Sequence, residues 1–431
     1  MFLRKKWLLI SLLLSIAVIG VVMGKWTVDT VNAQNSYEDL KNFTEVLTTI
    51  KKNYVDEVKT KDLISGAIKG MINSLDPHSG YMTSEQYKDF QVETKGEFGG
   101  LGIQIGVKDG LLTVISPIED TPAFKAGLKA GDRIIKIAGE STKDMGLHDA
   151  VTKMRGHKGT SITITILREG LKEPADFTIV RDVIKIRSVK ARIIPEGIAY
   201  IKLTQFQEST ASDLTSALAR LKKEGMTSII LDMRNNPGGL LHSAVEVSEQ
   251  FLPPKKLVVY IKNRNGERTE YTTEEGLSNY AEVPMVVLVN QGSASASEIV
   301  AGALKDWNRA IIIGVQTFGK GSVQSLIPLS NGSGLRLTTA KYYTPKGTSI
   351  QGVGIAPDIT VKLETKDGKG HTVVREKDLE RHLKNEQANE APHEDEKAPF
   401  EVEEKDDIQL QRAVDTLKTW KVFEKMLKKA A

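Results

Sequence analysis

The stretch from Pro284 to Gln324, PMVVLVNQGSASASEIVAGALKDWNRAIIIGVQTFGKGSVQ, constrains the chain more than any other. It opens on Met285–Val289, an apolar and β-branched run that predicts a buried strand. A turn of small residues follows. Glu298 to Trp307 then predicts a helix, with Ile299, Val300, Ala303 and Leu304 on one face, and Ile311 to Val315 predicts the next buried strand. Three serines, Ser293, Ser295 and Ser297, therefore fall where a strand hands over to a helix. At such a junction a hydroxyl can stand clear of the sheet while the N–H groups of the helix's first turn are still unpaired, which favours acyl chemistry.

A serine hydroxyl needs a base. No histidine lies in the stretch, but Lys320 stands between glycines in Phe318-Gly-Lys-Gly321, after a strand whose composition implies burial. Moving a lysine from about 10.4 to about 7 costs roughly 4 kcal/mol of differential solvation, which burial can supply. Gln324, four residues on, carries an amide oxygen able to hold a neutral amine without adding the charge of a carboxylate.

GSASASEIVAGAL followed by TFGKGSVQ resembles the active-site signature of the carboxy-terminal processing, or tail-specific, serine proteases, which use a Ser-Lys dyad. In that family the nucleophile is the middle serine of SASAS and the base lies twenty-five positions on, the spacing from 295 to 320. The resemblance thus implies Ser295 as nucleophile, Lys320 as general base and Gln324 as its orienting residue. It extends through LDPHSGYM at 75–82, a binding module at about 96–182, and LDMRNNPGGLL at 231–241. It implies an α/β layered protease core of the ClpP/crotonase-like kind, with an inserted PDZ domain and helical N- and C-terminal arms.

Composition bounds the rest. A chain of 431 residues predicts two or three domains. Its net charge of +4 and sparse aromatics give no nucleic-acid signature, and the lack of cysteine excludes thiol catalysis and cysteine-held metals. No HExxH or comparable spacing points to a metal site, so neither metal nor cofactor is expected.

Arg4, Lys5 and Lys6 precede an apolar run of about 18 residues, Trp7 to Gly24, and Val31-Asn-Ala33 is a passable cleavage site. A removed signal over 1–33 and a retained membrane anchor both remain open. Either one predicts export to the cell envelope, into the periplasm or onto the outer face of the inner membrane.

Residues 34–95 predict a helical arm, with Tyr37, Leu40, Phe43, Val46, Leu47 and Ile50 at helical spacing. His78, in the turn Leu75-Asp-Pro-His-Ser-Gly80, is expected to be solvated or capping rather than catalytic. From 96 to 182 short strands and turns resemble a PDZ domain, with Gly100-Leu-Gly-Ile103 as carboxylate-binding loop and Leu147 to Met154 as the helix walling its groove. Glycines let successive N–H groups point at one anion, and the next strand can accept a peptide as an added strand. Leu101, Gly102 and Ile103 are the expected peptide-binding residues, with Ile105 beside them. As a dinucleotide fingerprint the loop fails, because position 105 is isoleucine and no helix follows.

From 183 to 362 strands alternate with helices, which predicts a layered α/β core. The loop Arg234-Asn-Asn-Pro-Gly-Gly239 ends a buried strand, where Gly238 or Gly239 can give one oxyanion donor and the N–H of Ala296 the other. His242 is expected to pack rather than react. Glu298 and Asp306 can hydrogen-bond around the serine helix, where the resembled family also carries acids, and from spacing alone a solvated or capping role is an equal expectation. Gly314 to Lys320 fits a P-loop except for Gly321, and a strand-like VQSLIPL follows in place of a helix.

Residues 363–431 divide into a charged linker, to about 407, and an amphipathic helix through Leu410, Val414, Leu417 and Trp420, expected to dock on the amino-terminal arm of the same or a second subunit. The combined expectation is an exported serine endopeptidase that captures apolar, unstructured protein C-termini in its PDZ domain and cleaves near them, working as a homo-oligomer. The alternative of a different class is a catalytically silent, membrane-tethered PDZ scaffold.

Overall fold

The computed structural model describes residues 37–108, 110–118, 120–143, 145–168, 170–275, 280–363, 371–387, 397–399 and 403–430. The expectations for the amino-terminal apolar run lie outside these residues. Among the described residues no helix is long and apolar enough to cross a membrane. The chain divides into two units, Met1–Ser74 and Leu75–Ala431. Within the described part of the first, helices run over 37–53 and Thr60–Asn73.

The second unit is built on a six-stranded sheet in the order Val189–Ile194, Ile198–Leu203, Ser228–Asp232, Met285–Val289, Ile311–Gly314, Ile359–Thr360. Its first pair is antiparallel and the rest are parallel. The central strands are β-branched and buried on both faces, as parallel strands between layers must be. Alternate residues sort to the two sides. Ile229, Leu231, Val287 and Val289 pack with helices Thr210–Lys223, Leu241–Glu249 and Ala296–Asp306. Ile230, Val286, Leu288 and Ile313 meet Leu410, Ala413 and Leu417 of the last helix, Ile408–Ala430.

That last contact corrects one expectation. The carboxy-terminal helix buries the stripe of its first half on the core sheet of its own chain, where exposed Ile and Val side chains would otherwise face water. Trp420, Phe423 and Met426 of its second half are exposed. The charged stretch before it does not simply run free either. Val373 and Glu376 are buried, and Arg375 donates to the carbonyls of Gln316 and Thr317.

A second core sheet joins Gly80–Met82, Gly334–Tyr343, Leu257–Asn263 and Arg268–Thr272, with Ser322–Pro328 paired to the long second strand. Because its first strand precedes residues 96–182 and the others follow them, that module is an insertion. Glu97–Gly100 pairs antiparallel with Asp182–Lys185 and closes the module's two ends together. Inside lie a six-stranded sheet spanning Ile103 to Val180 and the helix Leu147–Met154. Its core is its own, from Leu101 through Ile134, Ile137, Ile164 and Ile166 to Ile179.

Candidate active site

The strand Met285–Val289 ends in a turn that carries the three serines, and the structure separates their roles. Ser293 and Ser297 are fully buried, and their hydroxyls donate to the carbonyls of Met233 and Asn236 at 2.8 and 2.9 Å. Ser295, at the N-cap of helix Ala296–Asp306, keeps a partly exposed side chain. Its backbone sits at φ 55°, ψ −113°, a conformation that costs a non-glycine residue about 1–3 kcal/mol and persists only where the surroundings enforce it.

The enforcing group is Glu298. Its carboxylate is wholly buried and accepts four hydrogen bonds: from the N–H groups of Ser295 (2.8 Å), Gly319 (2.7 Å) and Lys320 (2.9 Å) and from the Thr317 hydroxyl (2.6 Å). One carboxylate thus ties the backbone of residue 295 to that of residue 320. Burial pushes its carboxyl up to about 7 against the pull of those donors. The capping part of the expectation holds, because the carboxylate takes the N–H of the N-cap residue Ser295, and the solvated part does not, because the side chain is wholly buried. A glutamate at the third helical position reads as an ordinary cap, and nothing local announces that its other partners, at 317, 319 and 320, lie about twenty residues away.

Lys320 is half-buried between Gly319, at φ 98°, and Gly321, where a Cβ would lie 2.5 Å from the Gln351 nitrogen. Burial pushes its amine below the ordinary lysine value and the Arg336 cation adds to this, while Glu376, Glu298 and Asp76 pull it back. Among the described residues no hydrogen bond joins Lys320 Nζ to Ser295 Oγ. The buried Tyr342 hydroxyl donates to the Lys320 carbonyl and has the Ser295 hydroxyl as a hydrogen-bonding neighbour. Gln324, past a bulge, donates its amide to the carbonyl and hydroxyl of Ser322 at 3.2 and 2.8 Å. Its contact is with Ser322 rather than with the Lys320 amine.

Behind the lysine lies a second polar group that the sequence did not foretell. His78 Nε2 pairs at 2.7 Å with Glu376, a fully buried carboxylate that also accepts from Gln351 Nε2 at 2.9 Å. His78 is therefore half-buried and paired to a buried carboxylate rather than simply solvated.

The Gly238–Gly239 turn packs directly on the serine. A Cβ at Gly238 would lie 2.8 Å from Ser295 Cβ, and one at Gly239 would lie 2.1 Å from the Phe206 oxygen, so both positions require glycine. The Gly238 N–H is taken by Asn236 Oδ1 at 2.9 Å. Gly239 sits in a bridge with Phe206 whose hydrogen bonds use the groups on either side of it, which leaves its own N–H without a partner among the described residues. The N–H of Ala296, first in its helix, is likewise unpaired there. The turn is cross-tied to the nucleophile loop, because the Asn236 carbonyl accepts from both Ala294 N–H and the Ser297 hydroxyl.

His242 is exposed and bonded to Glu246 at 3.0 Å, and Asp306 accepts from the Lys346 N–H. Neither reaches the serine.

In the inserted module a groove of about 240 Å³ is lined by Phe98, Ile103, Ile105, Leu147, Val151 and Met154. Leu101 also lines it but is buried in the module's core, and its N–H and that of Gly102 have no partner among the described residues. Gly102 has φ 79°, with Thr121 so close that a Cβ would lie 2.3 Å from it. The arrangement offers an apolar slot beside two free N–H donors.

Residues 197–361 match peptidase family S41, residues 113–168 a PDZ domain, and residues 23–86 the N-terminal domain of the activating protease CtpB. The chain is similar to the carboxy-terminal-processing protease of Bartonella bacilliformis, 46% identical over 407 residues and 92% of each chain. It is 40% identical to the carboxy-terminal processing protease CtpA of Bacillus subtilis over 73% of this chain and 67% of that one. A carboxyl-terminal-processing protease of Synechocystis sp. is 38% identical over 73% of this chain and 74% of that one.

Proposed function

This chain belongs to peptidase family S41 as a carboxy-terminal processing serine protease with a PDZ domain, and we propose that Ser295 is its nucleophile and Lys320 its general base. The observation that carries this reading is the Glu298 carboxylate, which binds the backbones of the two residues at once. The neutral Lys320 amine takes the Ser295 proton as Oγ attacks the scissile carbonyl, and the resulting ammonium returns a proton to the leaving amine. The N–H groups of Gly239 and Ala296 hold the oxyanion. Lys320 then deprotonates the water that hydrolyses the acyl-serine. Gln324 acts one step back, by fixing Ser322 two residues from the base.

We further infer that the PDZ groove takes the apolar end of an unstructured protein, with Leu101 and Gly102 N–H on its carboxylate and Ile103 on its last side chain. Export through the amino-terminal apolar run, residence in the cell envelope and a homo-oligomeric assembly belong to the same reading. So does a ClpP/crotonase-like kinship of the layered core, supported by its run of parallel strands with three helices on one face and the last helix on the other. The experiment is cleavage of an unstructured protein with an apolar tail by wild type and Ser295→Ala. Loss of cleavage with tail binding intact supports the proposal, whereas cleavage by the variant ends it.

A further inference from the structure

The oxyanion turn is rooted in an arginine whose partners come from both ends of the fold. Asp232, the last residue of its strand, is fully buried; its Oδ1 accepts from the N–H of Arg234 (2.9 Å) and from Nε (3.0 Å), and its Oδ2 from Nη2 (2.7 Å) and the Tyr200 hydroxyl (2.7 Å). The outer edge of the same guanidinium meets Asp407, which takes Nη1 and Nη2 at 2.8 Å each, and Gln409, whose Oε1 takes Nη1 at 3.1 Å. All five guanidinium N–H donors are thereby used. Asp407 also accepts the N–H of Leu410, which caps the last helix, and Gln409 donates to the Val361 carbonyl at the end of the core.

The position of this clamp in the chain gives it its consequence. Two residues past Arg234 comes Asn236, whose side chain holds the Gly238 N–H and whose carbonyl receives the nucleophile loop. Gly239 follows. Asp232 alone grips only the Nε/Nη2 edge of the guanidinium; the second carboxylate, on the adjacent Nη1/Nη2 edge, fastens the end of the side chain to the last helix as well. Asp407 lies 173 residues from Arg234 along the chain and touches no part of the dyad.

We propose that Asp407, seconded by Gln409, is a positioning residue for the reaction, holding Arg234 so that the turn it begins presents the Gly239 N–H to the oxyanion. This rests on the reading of Gly239 and Ala296 as oxyanion donors. The carboxy-terminal helix is on this view a part of the catalytic apparatus delivered from the far end of the chain.

The test uses the full chain with Asp407→Asn, Asp407→Glu and Gln409→Met. Three quantities are measured below the melting transition: kcat and KM on an apolar-tailed peptide, the inhibition constant of a peptide aldehyde, and the affinity of the tail peptide alone. Ser295 Oγ adds to the aldehyde carbon as its proton passes to Lys320 and the C=O π pair moves onto the carbonyl oxygen, which takes the place of the oxyanion. Asp407→Asn is expected to lower kcat about ten- to hundredfold and to weaken the aldehyde in parallel, the scale of a slightly misplaced donor. KM and tail affinity stay within about twofold, and Asp407→Glu recovers most of the loss. Should Asp407→Asn fail to fold, Gln409→Met carries the test, with an expected loss of about two- to tenfold in kcat and aldehyde affinity. Unchanged kcat and aldehyde affinity in the variant that folds, or a loss that only tracks the folded fraction, overturns the proposal. Turnover by Ser295→Ala would instead sink the dyad, whatever Asp407 does.

Discussion

The Gly100–Ile103 turn of the PDZ module and the Gly238–Gly239 turn of the protease site both leave backbone N–H groups without an acceptor among the described residues, yet they are supported differently. The first is held by neighbours within its own module: Ile118 N–H and the Thr121 hydroxyl on the Gly102 carbonyl, and Ala123 N–H on that of Leu101. The second is held through Asn236, Arg234 and Asp407 and through the serine loop, by contacts reaching far along the chain. A turn that captures a tail carboxylate can adjust as the ligand arrives. A turn that meets charge only as it develops must be fixed beforehand, because reorganisation at that moment would be charged to the barrier.

The contrast is broken or sharpened by substitutions that should affect one turn and spare the other. The largest effect is expected from Lys320→Met, with kcat down about 10⁴-fold and tail-peptide affinity unchanged by calorimetry. Glu298→Gln follows at about 10²- to 10³-fold in kcat, since an amide cannot accept four donors.

That variant also carries a pH signature. Glu298 has a folded value of about 7 against an ordinary 4.5, so between those values the folded chain holds a proton that the unfolded chain has released. Wild-type stability therefore falls as pH rises through this window. Melting temperatures of Glu298→Gln should gain on wild type from pH 4.5 to 7 and run parallel to it above.

Ile103→Asp puts a charge in the apolar groove and should weaken tail binding about ten- to hundredfold, raising KM for tailed substrates while kcat on a short untailed peptide holds. Gly102→Ala is expected to be milder, about tenfold in tail affinity with about 1–3 kcal/mol of lost stability in the module, from strain at φ 79° and the approach to Thr121.

Much of this was legible in the sequence where the cause is local. The strand Met285–Val289 lies where its apolar run put it, and the serine helix starts two residues before the expected position because the small residues Ala296 and Ser297 carry no periodic signal. The choice among three serines came from resemblance, and its physical counterpart is that the other two hydroxyls are given to the backbone. What the sequence hid is long-range. Glu298, His78 with Glu376, and Arg234 with Asp407 are ordinary polar residues until topology brings their partners in. The acidic composition before the last helix reads as linker because burial of a single glutamate against a histidine 298 positions away leaves no local pattern.

The central claim is an uncharged Lys320 amine acting on Ser295, and it is tested most directly by the rate at which a fluorophosphonate labels Ser295 as a function of pH, in wild type and in Lys320→Met. The account predicts a rate that climbs to a plateau with a midpoint below the ordinary lysine value, as burial of the amine requires, and labelling that is slow and without that midpoint in the variant. Equal rates with the same profile in both proteins would contradict it.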